Sequence, residues 1–273
     1  MPINCDKIED FLELITNNKI HIYGTGYVAN LFWNELEKKG LTQNVEDFIV
    51  SEVKESEYTH SIPIKGIENV KIDKGSIVCI AVHETLKDEI EMNLLKKQIR
   101  NFLWIYPFLY EFSLGCIQKE ECWVDIHLFH NVMKEQYGIA LRYAAIEEYY
   151  GFRKNGFDMY YRGLLTYNST RTAELRVKRF KDLIINWEKN GYQQENTICV
   201  NRVHEVIDGE HRLALAFYHG IKKIKCIVYE GENIHNQQAI MTHDILQKGG
   251  FCRKELEQLD GINQTILREL EEK

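Results

Sequence analysis

Short apolar runs alternate with longer amphipathic stretches over the first third of the chain. The apolar runs predict strands over residues 20–23, 45–50, 62–64, 76–82 and 102–106. Apolar positions at helical spacing predict helices over residues 6–16 and 86–98, and another that ends near Lys39. Because strands that alternate with helices form parallel sheets, residues 1–112 are predicted to be an α/β domain with a parallel sheet of four or five strands.

A glycine-rich turn joins the first strand to the helix that follows it. Gly24 would make the tight turn, Gly26 would admit a close ligand, and Ala29 would let the helix pack on the strand. Glu52 follows the second strand, where an acid would meet a ribose hydroxyl. The pattern resembles the small Rossmann-like domains of bacterial surface-polysaccharide and sugar-modifying proteins. Those domains bind a nucleotide, a nucleotide sugar or nothing detectable, so we predict these four residues as a cofactor-binding set.

The middle of the chain is aromatic and helical in pattern. Residues 113–163 are predicted to be a helical connector, formed by one long helix or by two that are broken near Gly138, with Gly151 ending the run. After it, apolar residues three and four apart predict a helix from about Arg171 to Lys189 that packs on a second sheet.

The stretch Asp208-Gly209-Glu210-His211-Arg212 carries the strongest chemical signal. Gly209 permits a tight turn, and the helix expected at about 213–219 would offer unsatisfied N–H groups and a positive dipole end to an anion. Arg212 adds a donor fork that matches phosphate. Asp208 and Glu210 would bind a metal–nucleotide complex, orient a hydroxyl or accept its proton. The alternative is that Asp208 caps the helix while Glu210 pairs with Arg212 on the surface.

The elements around this turn follow one superfamily in order. They are Asn168-Ser169-Thr170-Arg171, the helix through Trp187, a strand at 197–201, the turn itself, its helix, and the apolar run at 220–228. Residues 168–230 therefore resemble a ParB/sulfiredoxin-like domain, and the resemblance implies an α+β domain over 164–273. It also implies that Gly209, His211 and Arg212 bind nucleotide phosphates with help from Arg171.

Departures from the superfamily pattern narrow the activity. Glu210 stands where sulfiredoxins place their reactive cysteine, so their thiol chemistry is not expected. Ser169 and Thr170 replace the prolines and glutamine of chromosome-partitioning members, and about forty residues follow the domain in place of a helix-turn-helix region. The free-serine-kinase type is the closest remaining resemblance. It implies Glu210 or Asp208 as the base that acts on a small hydroxyl substrate.

Composition limits the partners and the compartment. The formal net charge is −7, which argues against a nucleic-acid partner. Seven cysteines without a C-x-x-C pair indicate a reducing compartment, and the spacing of Cys116 and Cys122 to His127 and His130 fits no zinc pattern, so no metal site is predicted. No uncharged run approaches twenty residues. We expect a cytoplasmic protein without a membrane span.

Three functions remain open from the sequence. The first is a nucleotide-dependent phosphotransferase that uses ATP or another nucleotide with Mg²⁺ on a small hydroxyl-bearing metabolite, for example a surface-glycan precursor. The second is a nucleotide-binding or scaffolding protein without catalysis. The third, an NAD(P)-dependent oxidoreductase that uses the Gly24 turn, is disfavoured by the short sheet. The charged helix from Arg253 onward is expected to pack over the second domain or to mediate self-association into a homo-oligomer.

Overall fold

The chain forms two units, residues 1–115 and residues 116–273. The computed structural model describes residue 3 and residues 5–53, 58–133, 136–192, 197–231 and 241–271. Residues 116–163 of the predicted connector belong to the second unit. They do so because their side chains, from Val124 to Tyr160, form part of that unit's hydrophobic core.

Strands and helices alternate along the first unit. Its strands are β1 (Lys19–Tyr23), β2 (Val45–Val50), β3 (Tyr58–Thr59), β4 (Ile62–Gly66), β5 (Ser76–Ile80) and β6 (Phe102–Trp104). Its helices are α1 (Ile8–Asn17), α2 (Tyr27–Lys38), α3 (Glu84–Lys96) and α4 (Tyr106–Leu114), with a 3₁₀ turn at Thr42–Asn44.

The sheet of the first unit has the strand order β3-β4-β2-β1-β5-β6. All strands other than β3 run parallel to their neighbours in this order, namely β4, β2, β1, β5 and β6. The parallel sheet is Rossmann-like in order, as the alternating pattern predicted. The sheet has one strand more than expected, because the two-residue β3 pairs antiparallel with β4 at the edge. So short a strand carries no alternation that a sequence pattern would reveal.

A polar row, buried at His21 and Asp47 and half-exposed at Lys65, crosses three strands of this sheet. His21 on β1 stands opposite Asp47 on β2, and its Nδ1 donates to Asp47 Oδ1 at 2.6 Å. Lys65 on β4 donates to Asp47 Oδ2 at 2.8 Å. Burial would raise the pKa of Asp47, but the hydrogen bonds and charges of His21 and Lys65 hold it below its ordinary 3.8. The row is therefore a paired charge group inside the sheet.

The second unit combines four strands with six helices in its described residues. The strands are β7 (Ile117–Asp125), β8 (Ile198–Asn201), β9 (Val206–Asp208) and β10 (Lys223–Tyr229). The helices are α5 (Gly138–Tyr149), α6 (Gly156–Leu165), α7 (Thr170–Asn190), α8 (Glu210–Tyr218), α9 (His243–Lys248) and α10 (Arg253–Glu271), and Ile126–Met133 is a 3₁₀ segment.

The sheet of the second unit is mixed, with the order β7-β10-β8-β9. Only β10 and β8 run parallel; β7 and β9 pair antiparallel with their neighbours. Strand β7 lies in the stretch expected to be helical, which corrects that expectation for residues 117–125. It is an edge strand with a mostly exposed polar centre, so its identity comes from pairing with β10 rather than from its own pattern.

Helix α5 occupies the centre of the second unit. Ala140, Ala144 and Ala145 are fully buried, and α6, α8 and α10 all pack against the helix. The first residue of α6, Gly156, is so close that an added Cβ would lie 2.0 Å from the carbonyl oxygen of Ala144. Helix α10 packs over this unit, one of the two arrangements that the sequence left open. In the described parts of the chain, no helix is long and apolar enough to cross a membrane.

Candidate functional site

Gly209 sets the geometry of the predicted turn. Its φ is 106°, and an added Cβ would lie 2.4 Å from Ile198 Cγ2, so both conformation and space require glycine. Gly209 is the N-cap, and α8 begins at Glu210, three residues before the predicted start. The early start follows because the left-handed glycine ends β9 and turns the chain into the helix in one step.

The N-terminus of α8 presents backbone donors. The first described helical bond runs from Leu213 N to the Gly209 carbonyl oxygen, at 2.9 Å. The N–H groups of Glu210, His211 and Arg212 have no acceptor among the described residues. Free N–H groups at the positive end of a helix favour an anion.

Glu210 pairs with a buried arginine that comes from α5. Arg142 Nη2 donates to Glu210 Oε2 at 2.7 Å, and Nη1 donates to the carbonyl oxygen of Gly138 at 2.7 Å. The Arg142 side chain is only 4% exposed, whereas that of Glu210 is 34% exposed. The predicted acid of the turn is therefore the counter-ion of a buried cation.

His211 points into the unit and away from solvent. Its Nε2 shares a hydrogen bond of 2.5 Å with the Tyr160 hydroxyl, and its ring centroid lies 4.6 Å from that of Phe180 on α7. Burial, and then the charges of Arg142, Arg176 and Arg212, hold the pKa of His211 well below its ordinary 6.5. Burial raises the pKa of Tyr160 to about 12, so both groups are neutral at pH 7.

Asp208 and Arg212 form the solvent side of the turn. Arg212 Nη2 lies 3.5 Å from Asp208 Oδ2, and Nη1 donates to the carbonyl oxygen of Thr197. The Asp208 side chain is 50% exposed. The alternative in which Asp208 caps the helix is wrong, since α8 has no side-chain cap, and Glu210 pairs with Arg142 instead of with Arg212.

Helix α7 also carries a cation whose charge acts on His211. Arg176 acts electrostatically on both His211 and Tyr160, and its Nη1 donates to the Tyr167 hydroxyl at 3.4 Å. Arg171 lies in the first turn of α7 and is exposed. Its participation in phosphate binding stays a prediction.

Sequence reasoning did not assign Arg142, Tyr160 or Arg176 to this cluster. Arg142 interrupts the apolar, alanine-rich run from Ile139 to Ile146. An arginine in so apolar a helix signals a buried charge that needs a partner. Tyr160 carried no such signal among the many tyrosines nearby.

The Gly24 turn of the first unit has the expected backbone. Gly24 has a φ of 117°, and an added Cβ would lie 2.9 Å from the Ala81 carbonyl oxygen. Gly26 is the N-cap of α2, with open space where its Cβ would be, and Ala29 is fully buried. Glu52 is exposed just past the end of β2, at the same carboxyl edge of the sheet. Ligand binding by these four residues stays a prediction.

Two surface hollows of the first unit lie elsewhere. One of about 440 Å³ is lined by residues that include Lys74, Lys97 and Arg100, and one of about 300 Å³ lies along α1. Neither includes a residue of the two glycine turns.

Comparison with known proteins finds no match to a family model, a curated protein or a solved structure. The structure therefore gives the architecture and identifies no family: a Rossmann-like parallel sheet, a helical middle and a mixed sheet.

Proposed function

We propose that the chain is a nucleotide-dependent phosphotransferase, kinase-like, that acts on a small hydroxyl-bearing metabolite. One observation carries the proposal: at the N-terminus of α8, Arg142 contacts Glu210 at 2.7 Å, Arg212 lies 3.5 Å from Asp208, and the first three N–H groups have no acceptor among the described residues. Two guanidinium groups and the free helix N–H groups would neutralise and position a transferring phosphoryl group, which is most of what such catalysis requires.

Asp208 is the carboxylate of the turn best suited to act as a base. It is half exposed, and its 3.5 Å contact with Arg212 is long for a hydrogen bond, so it is open to a substrate hydroxyl. Glu210 is the alternative base, but it would first have to leave Arg142. Mg²⁺ in nucleotide complexes takes one or two carboxylates besides phosphate oxygens, so whichever of Asp208 and Glu210 does not act as the base would hold it here.

The resemblance of residues 168–230 to free-serine-kinase-type ParB/sulfiredoxin-like domains supports the same activity. Independently of that turn, the Rossmann-like first unit would bind a nucleotide or a nucleotide sugar of its own at its Gly24 turn, which fits a role in surface-polysaccharide biosynthesis. A cytoplasmic location follows from a nucleotide co-substrate.

The proposal is tested by incubating the full chain with ATP, ADP or CTP, magnesium and a panel of amino acids and sugars, while nucleotide turnover is measured. We expect Asp208→Asn to lose turnover by about 100-fold or more while it retains nucleotide binding. Arg212→Ala should weaken both. The exposed Arg253→Ala on α10 is the matched control and should change neither. Wild-type protein without turnover under any of these conditions would contradict catalysis.

A second candidate is nucleotide binding without transfer. The observation that favours it is the engagement of Glu210 by Arg142, which leaves one acid of the turn occupied. This candidate predicts that nucleotide raises the melting temperature by mass action on the folded state while no product forms.

A further inference from the structure

We infer that Arg142 is the principal anion-binding residue of this site and that Glu210 is its displaceable counter-ion. A phosphoryl group would take the guanidinium of Arg142 while the Glu210 side chain turns toward solvent. The inference rests on the proposed function in one respect, the assignment of a phosphate-bearing ligand to this turn.

One of the two donors that Arg142 can offer to an oxyanion has no partner among the described residues. The Nε–H and Nη2–H groups lie side by side along one edge of the guanidinium and can donate two parallel bonds to a carboxylate or phosphate. Nη2 donates to Glu210 Oε2, whereas buried Nε has no acceptor in the described ranges of the chain. Glu210 therefore binds through one oxygen where a well-placed oxyanion would bind through two.

Other contacts hold the Arg142 side chain in place, whereas the Glu210 side chain is partly exposed. Nη1 is bound to the carbonyl oxygen of Gly138, and the guanidinium carbon lies 5.4 Å from the centre of the Tyr160 ring. Glu210 is at the edge of the unit, as the first residue of α8, with a third of its side chain in contact with solvent. A rotation of Glu210 would uncover Arg142 without any change in the core.

The exchange requires an incoming anion. Because Arg142 is buried, loss of Glu210 without a replacement would leave an unpaired interior charge, which is strongly unfavourable. Gly138 leaves room beside the pair, since an added Cβ there would lie 3.2 Å from Arg142 Nη1 and 3.6 Å from Glu210 Oε2. Carboxylate release and phosphate binding are therefore coupled.

The neighbouring groups suit a phosphoryl group with more than one negative charge. Arg212 belongs to the same turn, where its side chain is a quarter exposed and lies 3.5 Å from Asp208. The N–H groups at the start of α8 face the same turn. The chemical class of the ligand is a phosphate monoester or the terminal phosphate of a nucleotide.

Calorimetric titration with inorganic phosphate and with ADP tests the inference. Glu210→Gln keeps the shape of the side chain but removes the competing charge, so it should bind phosphate roughly 10-fold more tightly than wild type, a change equivalent to 1.4 kcal/mol. Asp208→Asn removes the same charge from the same turn without touching Arg142, and should gain clearly less. Arg142→Lys, which cannot form the two parallel bonds, should bind at least about 10-fold more weakly.

The outcomes separate this inference from the proposed function. Tighter phosphate binding by Glu210→Gln in a protein that turns over no nucleotide would support the counter-ion role and end the kinase proposal. Turnover in wild type combined with unchanged or weaker phosphate binding in Glu210→Gln would overturn the counter-ion role alone. If Arg142→Lys does not fold, as circular dichroism would show, the comparison of Glu210→Gln with Asp208→Asn decides the question.

Discussion

His21 Nδ1 lies 2.6 Å from Asp47 Oδ1, and both side chains are only 1% exposed on adjacent parallel strands. A buried carboxylate is stable in such a place only with its partners, here His21 and Lys65. Removal of the carboxylate would leave an imidazole and an ammonium group without their acceptor.

Asp47→Ala should lower the free energy of unfolding of the first unit by about 3 kcal/mol, the cost of breaking a buried ion pair from one side. Hydrogen exchange of the backbone amides of β1 and β2 measures the loss. The exposed Asp88→Ala on α3 is the control and should stay within about 0.5 kcal/mol of wild type. Equal losses in the two variants would mean that the polar row contributes no stability.

The same carboxylate predicts how the first unit responds to acid. The pKa of Asp47 is lowered in the folded state. Its contribution to the free energy of unfolding is therefore complete above the ordinary value of 3.8 and is lost as the pH falls through the folded-state pKa. Wild type should lose stability below about pH 4 more steeply than Asp47→Asn does. Denaturant unfolding at a series of pH values checks this, and parallel acid limbs would contradict it.

His211 predicts a second pH dependence, in the second unit. The pKa of His211 in the folded state lies well below 6.5, so its contribution to the free energy of unfolding is complete above pH 6.5. That contribution is lost as the pH is lowered, by up to about 1.4 kcal/mol per pH unit. Calorimetric unfolding between about pH 7 and 5 should show a shallower slope for His211→Asn than for wild type. Equal slopes in the two proteins would contradict this dependence.

Two glycines with positive φ separate conformational from steric cost. Gly209→Ala should destabilise the second unit by about 3 kcal/mol, because left-handed strain adds to the clash with Ile198. Gly220→Ala has a φ of 63° and open space around the added Cβ, so it should cost only about 1 kcal/mol. Urea unfolding measures both, and similar losses would show that the turn relaxes around the alanine.

The Gly24 turn allows a matched test of ligand approach. Gly24→Ala should destabilise the first unit by about 2 kcal/mol, because its φ is positive and Ala81 is close. Gly26→Ala should leave stability within about 0.5 kcal/mol of wild type. If a nucleotide phosphate sits against Gly26, the second substitution should nevertheless weaken nucleotide binding in a thermal-shift titration.

The first unit could be predicted from its sequence because its strands and helices carry their own periodicity. Val45–Val50 was predicted at its observed bounds, and the Gly24 turn has the conformation that its position requires. What escaped prediction depends on partners distant in sequence. Strand β7 exists through its ladder with β10, a hundred residues later.

The candidate site was predictable only in its local part. Gly209, Glu210 and Arg212 stand together in the sequence, so their turn was visible, although α8 begins earlier than expected. Arg142 reaches Glu210 from 68 positions away, and no local pattern encodes that pairing. Helix α7 meets His211 through Phe180, whose ring centroid lies 4.6 Å from that of His211, and this contact depends on how the helices pack and not on local sequence.

Helix α10 is hydrogen-bonded to the start of α5, the helix that carries Arg142. The Tyr137 hydroxyl donates to Asp260 at 2.6 Å, Asn263 donates to the Gln136 carbonyl oxygen, and Tyr137 is the N-cap of α5. Loss of these bonds would therefore disturb the N-terminus of α5, five residues before Arg142, the residue proposed to bind the anion. Substitutions in α10 that break these hydrogen bonds should therefore change the affinity for phosphate, although none of the substituted residues is proposed to contact the ligand.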